Sequence, residues 1–290
     1  MVGRAERLRR EVLEPRFERL KALHAPKAKP QPGDWLAEQP ESGQSVAEYL
    51  SLDFVGVDAK RSAIYLQPLG DFSPAQAQVV ALTHDYVGRY FGLEVRMLPR
   101  LPSSTIPAQA RRLHPGPQVF SPWVLDYLMK RRPSDAVALL ALTAEDLFPD
   151  PRWNFVYGQA SLHEHVGVWS IYRNGDPAES VAAFEHCLHR TLGTAVHELS
   201  HMLWIVHCIA WECVMNGSNH DLEADARPLE PCPSCLAKLC HAVRRDPLKR
   251  FEAIEPFWRD RPRGHTLDYV RAARLLAEAA PSPEQEARSP

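Results

Sequence analysis

The sequence predicts a mixed α/β fold: a twisted sheet, a long helix, and a helical C-terminal subdomain. Three observations lead there. Between residues 63 and 142 the patterning runs strand, helix, strand, helix, strand, the order of a mixed α/β sheet. Residues 135–142 (DAVALLAL) form an almost continuous apolar run, as expected of a fully buried strand. From residue 180 onward the apolar residues recur mainly at helical spacing.

Taken in order, residues 4–23 place Leu8, Val12, Leu13, Phe17, Leu20 and Leu23 near helical spacing, with Pro15 expected to kink or divide the helix. Its arginines read as a solvated face rather than a nucleic-acid patch. Residues 24–45 (HAPKAKPQPGDWLAEQPESGQS) are proline-rich and read as a linker or a wrapping segment. Residues 1–45 are thus expected to form an accessory layer, 46–279 the main domain, and 280–290 a disordered tail.

Within the main domain, residues 63–66 (AIYL) read as the first strand. Ser73-Pro74 opens a helix to about residue 91, with serine as N-cap and proline in the first turn. Residues 93–98 alternate as a second strand, 99–122 are a long proline-rich connection, and 123–130 are a short helix. After the buried strand, residues 154–159 and 166–172 read as the last strands, followed by a helix over 180–203. Helices follow at 236–243, at 248–255 (stopped by Pro256) and at 267–279.

With 45% hydrophobic and 24% charged residues, the 290-residue chain can build a real core. Its net charge of -2 argues against a nucleic-acid binder. No apolar run approaches the roughly 18 residues that a membrane span needs. The N-terminus, MVGRAERLRREVLE, lacks the apolar centre of a signal peptide. A cytoplasmic protein is therefore expected, in which clustered cysteines bind metal rather than form disulfides.

The chemistry is concentrated in residues 197–235. His197 and His201 are four apart, so on a helix they lie about 40° from one another. Two imidazoles on one face can grip one zinc, and Glu198 can serve as general base toward its water, whose pKa zinc lowers to about 7. His207 follows six residues after His201; a helix continued that far would carry it about 100° off the pair. It can be a third ligand only if the helix stops between Met202 and Val206 and the chain turns back. Cys208, Cys213, Cys232 and Cys235 supply four sulfurs, enough for a closed tetrahedral site. Three nitrogens and four sulfurs divide into one open, catalytic zinc and one structural zinc.

This stretch resembles the archaemetzincins, metzincin-type zinc peptidases with the pattern HExxHxxGxxHC, four residues, C-x-M, about seventeen residues, then CxxC. His197, Glu198, His201, His207, Cys208, Cys213, Met215, Cys232 and Cys235 occur in that order, with sixteen residues between Met215 and Cys232. MNGSNH, EADARPL and CPSCLAKL are similar to the eukaryotic-like members, and the likeness spans roughly residues 45–275. It implies a metzincin-like zincin with 180–203 as the active-site helix. It implies a metalloprotease in which Glu198 is the general base and His197, His201 and His207 hold the catalytic zinc. Met215 is then the Met-turn residue, and the four cysteines hold the structural zinc. One of the last strands would be the cleft rim along which a peptide adds as a strand; the plain alternative is an ordinary covered edge. Aminopeptidase-like action on short peptides by a monomer is the implied activity, with no nucleic-acid or membrane partner.

The chain departs from the pattern at Trp204, where the family has glycine. Glycine suits a turn that needs positive φ. Another residue there costs about 1–2 kcal/mol. Trp204 accepts that strain, or the helix ends by another route, or His207 is not a ligand. The last case leaves a weak or inactive zinc protein that binds peptides or a protein partner. Cys187 and Cys240 lack a ligand partner at useful spacing and read as plain thiols; His163, His165, His186, His189 and His220 read as structural or solvent-facing.

Overall fold

The computed structural model describes residues 14–52, 57–114, 116–259, 261 and 264–278. The expectations for residues 4–13 and for the tail 280–290 lie outside the described residues. In chain order the helices are α1 Glu14–Leu20, α2 Trp35–Glu38, α3 Val46–Ser51, α4 Pro74–Phe91, α5 Ser121–Met129, α6 Val181–Met202, α7 Asp221–Ala226, α8 Pro233–Val243, α9 Pro247–Arg259 and α10 Gly264–Glu278. The strands are β1 Ala63–Leu69, β2 Glu94–Met97, β3 Arg111–Leu113, β4 Pro117–Phe120, β5 Ala136–Thr143, β6 Asp146–Phe148, β7 Gly158–Ser161 and β8 Val166–Ser170. The chain divides into two compact units, Phe54–Trp204 and Met1–Asp53 with Ile205–Pro290.

The unit Phe54–Trp204 is built on a mixed five-stranded sheet of order β2-β1-β5-β8-β7, parallel except for the antiparallel β7. β1, β5 and β8 are buried along their whole length, as the apolar run over β5 requires. α4 begins as its sequence says. The Ser73 hydroxyl accepts the Gln76 N–H at 3.3 Å, and the Gln76 side chain accepts the Ser73 N–H at 2.9 Å. It ends on Gly92 at φ 67°. α6 is capped by the Ser180 hydroxyl, which accepts the Ala183 N–H at 3.0 Å, and it packs against α4, β7 and β8. Leu188, Leu192, Ala195, Val196 and Leu199 are its buried apolar face.

Three expectations need correction. Residues 99–122 are more than a connection: β3 and β4 lie within them and pair with β6 in a three-stranded sheet. Strands of three or four residues are too short to show a period. Residues 154–157 lie outside strand β7, which starts at Gly158. Val156 makes an isolated antiparallel bridge to Leu147, the Tyr157 carbonyl accepts the Ser170 N–H at 2.8 Å, and the carbonyls of Trp153 and Asn154 accept from the Arg112 guanidinium at 2.6 and 3.0 Å. Pro256 does not stop its helix but lies inside α9. The lost hydrogen bond is tolerated because Phe257 and Trp258 beyond it are buried and hold the last turn by packing.

The second unit is helical. α9 packs on α10, α10 and α8 on α1, and α8 on α3. Phe17 and Leu20 of α1 are buried within it. Arg250 and Glu230 form an ion pair at 2.7 Å with both side chains below 5% exposed. Such a pair adds little net stability, because desolvation offsets the attraction. Among the described residues no helix is long and apolar enough to cross a membrane.

Candidate metal centre

α6 carries His197, Glu198 and His201 on its last turns, with His197 and Glu198 buried. The Nε2 atoms of His197 and His201 lie 3.0 Å apart, with the rings at 90°. Two nitrogens bound to one tetrahedral zinc at about 2.0–2.1 Å would sit about 3.3 Å apart, so the pair is set for a shared ion. Gly158 of β7 lies directly against Glu198: a Cβ there would be 2.9 Å from Glu198 Oε1. Only glycine lets the carboxylate keep its place.

The helix then ends abruptly. The N–H groups of Leu203 and Trp204 reach back to the carbonyls of Ser200 and His201 at 3.0 and 2.8 Å. His165 donates Nδ1–H to the Met202 carbonyl at 2.8 Å, satisfying a helix-end acceptor. Burial lowers the His165 pKa, which favours the neutral ring. Trp204 takes the left-handed conformation, φ 66°, that the pattern assigns to glycine. Of the three alternatives, Trp204 accepts the strain, and its ring stands edge-on to His163 at 4.8 Å. Trp204→Gly removes strain of about 1–2 kcal/mol but loses an aromatic contact of about 0.5–1.5 and adds backbone freedom of about 0.5–1. Trp204→Ala loses the ring and keeps the strain. Denaturant unfolding should therefore find the glycine variant more stable than the alanine variant by about 1 kcal/mol.

Among the described residues, the ligand atoms of Cys208, Cys213, Cys232 and Cys235 lie within 4.8 Å of one another, and so do those of Asp34, His220 and Glu223. All four cysteines are buried. Cys208 Sγ and Cys232 Sγ are 3.7 Å apart, which fits the roughly 3.8 Å edge of a tetrahedron with zinc–sulfur bonds of about 2.3 Å. The backbone supports the sulfurs. Cys213 Sγ accepts the N–H groups of Met215 and Cys232 at 3.4 and 3.2 Å. Cys232 is the N-cap of α8, with Pro233 in the first turn, and its sulfur accepts the Cys235 N–H at 3.5 Å. Hydrogen bonding within the cluster, first from Cys213, lowers the Cys208 thiol. Burial pushes Cys213 up, and hydrogen bonding to Cys208 pushes Cys235 up. A bound dication would draw all four to thiolate.

Asn216, which the sequence did not single out, closes the loop. Its Oδ1 accepts the Cys213 N–H at 2.9 Å, and its Nδ2 donates to the carbonyls of Cys208 and Trp211 at 2.6 and 2.9 Å. With the Cys208 N–H on the Met215 carbonyl at 2.8 Å, this folds Cys208–Asn216 into a tight turn with Met215 buried. The group of Asp34, His220 and Glu223 is different in kind. His220 caps α7 by accepting the Glu223 N–H on Nδ1, so Nε2 carries the proton and donates to Asp34 at 3.2 Å. It has no lone pair left to offer. Cys187 and Cys240 are buried outside the cluster, and burial pushes the Cys240 thiol up to about 12.

The sequence pattern of Peptidase family M54 matches residues 132–241, which include α6 and all seven expected ligands. Archaemetzincin-2 of Pongo abelii is 30% identical over 283 residues, covering 86% of this chain and 77% of the relative. The chain belongs to the archaemetzincin family. Archaemetzincin-2 of Homo sapiens is likewise 30% identical over the same shares. The crystal structure of an archaemetzincin from Methanopyrus kandleri superposes with a TM-score of 0.51 at 27% identity, covering 65% of this chain and 99% of that one. As an archaemetzincin the chain is a zinc metallopeptidase, a hydrolase of peptide or protein substrates, and its mixed sheet is that of a zincin.

Proposed function

We propose that His197, His201 and His207 hold the catalytic zinc and that Cys208, Cys213, Cys232 and Cys235 hold a second, structural zinc. Zinc held by three imidazoles supplies a Lewis acid that acidifies water and polarises a peptide carbonyl. Glu198 takes the proton from the attacking water and passes it to the leaving amine. Met215 is the Met-turn residue, held by the turn that Asn216 closes. The observation that carries this reading is the pairing of two clusters of opposite design. One is the His197–His201 nitrogen pair, set for a shared ion with room for further ligands; the other is a fully buried sulfur set of four, which is closed. A cytoplasmic, reducing setting agrees with six cysteines that all stand as free thiols. Action on short peptides near their N-terminus is the finer reading. The left-handed Trp204, in the conformation the family gives to glycine, supports this reading over a non-catalytic zinc protein of the same fold.

Metal analysis of the full chain tests the reading. Two zincs per chain are expected. One should leave readily to a chelator together with peptidase activity on a peptide library, and the other should stay until the fold is lost. A single tightly held, thiolate-bound zinc would overturn the assignment.

A further inference from the structure

The N-terminal proline-rich segment reaches the ring of His207. Glu41 lies against His207 Nδ1 with both carboxylate oxygens, at 2.8 and 3.0 Å. Glu41 is itself held: the Trp35 indole N–H donates to its Oε1 at 3.1 Å. The Trp35 ring stands edge-on to His207 at 5.2 Å and lies flush on Gly217, where a Cβ would come within 2.4 Å of the indole. The Trp35 backbone N–H is fixed by the Glu223 carboxylate at 3.0 Å. The segment is also anchored before and after these residues. The Lys27 N–H donates to the Ala210 carbonyl at 3.0 Å, and the Glu212 N–H to the Ala25 carbonyl at 2.9 Å. Gly43 fits against Ile209 where a Cβ would meet it at 2.8 Å, and the buried Lys238 amine donates to the Gln44 carbonyl.

A carboxylate can only accept, so His207 carries its proton on Nδ1 and presents a lone pair on Nε2. A ring so fixed in tautomer and orientation is preoriented as a metal donor. We propose that Glu41 is a positioning residue for the catalytic zinc, acting through His207, and that Trp35 is the clamp that holds Glu41 in place. The N-terminal segment is thereby part of the metal centre. This inference rests on His207 being a zinc ligand.

Zinc affinity of the full chain, measured by competition with a chromophoric chelator, tests it with a readout separate from activity. Glu41→Ala should weaken one of the two zincs by about 10–100-fold and leave the other unchanged. Glu41→Gln keeps the shape and an acceptor but loses the charge, so it should fall between Glu41→Ala and the wild type. Trp35→Phe, which keeps a ring but not the N–H, should weaken the same ion. Wild-type affinity for both zincs in Glu41→Ala overturns the proposal. Should Glu41→Ala lose both ions through misfolding, Glu41→Gln decides: a selective loss supports the proposal, and wild-type affinity overturns it. His207→Ala separates the two levels. If it too leaves both zincs in place, the ligand assignment fails. If it releases one zinc and the Glu41 variants do not, only the positioning role fails.

Discussion

Glu198→Gln is expected to lower kcat by about 10²–10⁴-fold, the range for losing a positioned general base, with zinc content unchanged. The amide has the shape of the carboxylate and fits the same space against Gly158, so packing around α6 should survive. What is lost is the ability to take a proton from water and return it to the departing amine. KM should change little, because the replaced group handles the proton rather than the substrate's side chains. The check is steady-state kinetics on a peptide that the wild type cleaves, beside metal analysis of the same preparation. Equal cleavage by the variant would mean that another group serves as the base.

The largest effect on stability is expected from Cys213→Ser. Cys213 is fully buried and its sulfur accepts two backbone N–H groups from opposite arms of the cluster, at Met215 and Cys232. If the four cysteines hold the proposed structural zinc, replacing one removes a ligand from a closed set, and the ion and its contribution to folding should be lost together. Destabilisation above about 4 kcal/mol is expected, beyond the reach of ordinary substitutions. Cys187→Ala is the control: a buried thiol outside the cluster, for which about 1 kcal/mol is expected. Thermal unfolding with zinc analysis distinguishes the cases. Retention of the tight zinc in Cys213→Ser would show that three sulfurs suffice and that Cys213 is only a packing residue.

These two expectations draw on different kinds of legibility. The spacing of His197, Glu198 and His201 could be read because a helix turns a four-residue interval into a shared face, whatever surrounds it. The Cys232-x-x-Cys235 pair was readable because two thiolates at that spacing can reach one ion; that it opens a helix at Pro233 was not read. The N-cap at Ser73 and the buried β5 were legible because local geometry is set by neighbours in sequence. Pro256 was misread because the burial of Phe257 and Trp258 against the rest of their unit holds the helix beyond it, and residues 154–157 because their backbone partners, such as Leu147 and Arg112, lie elsewhere in the chain.

By itself the sequence determined which side chains could bind metal, in what order, and on what scaffold of strands and helices. Whether Trp204 would bend into a glycine conformation was left to the tertiary structure. So were the residues that hold His207 in place. Backbone strain is decided by the whole balance of packing, of which the ring contact with His163 is one part. Glu41 and His207 are 166 residues apart, and no period or motif encodes a contact across that distance. Only folding brings such a pair together, because the segment that carries Glu41 is pinned by hydrogen bonds to Ala210 and Glu212, far along the chain.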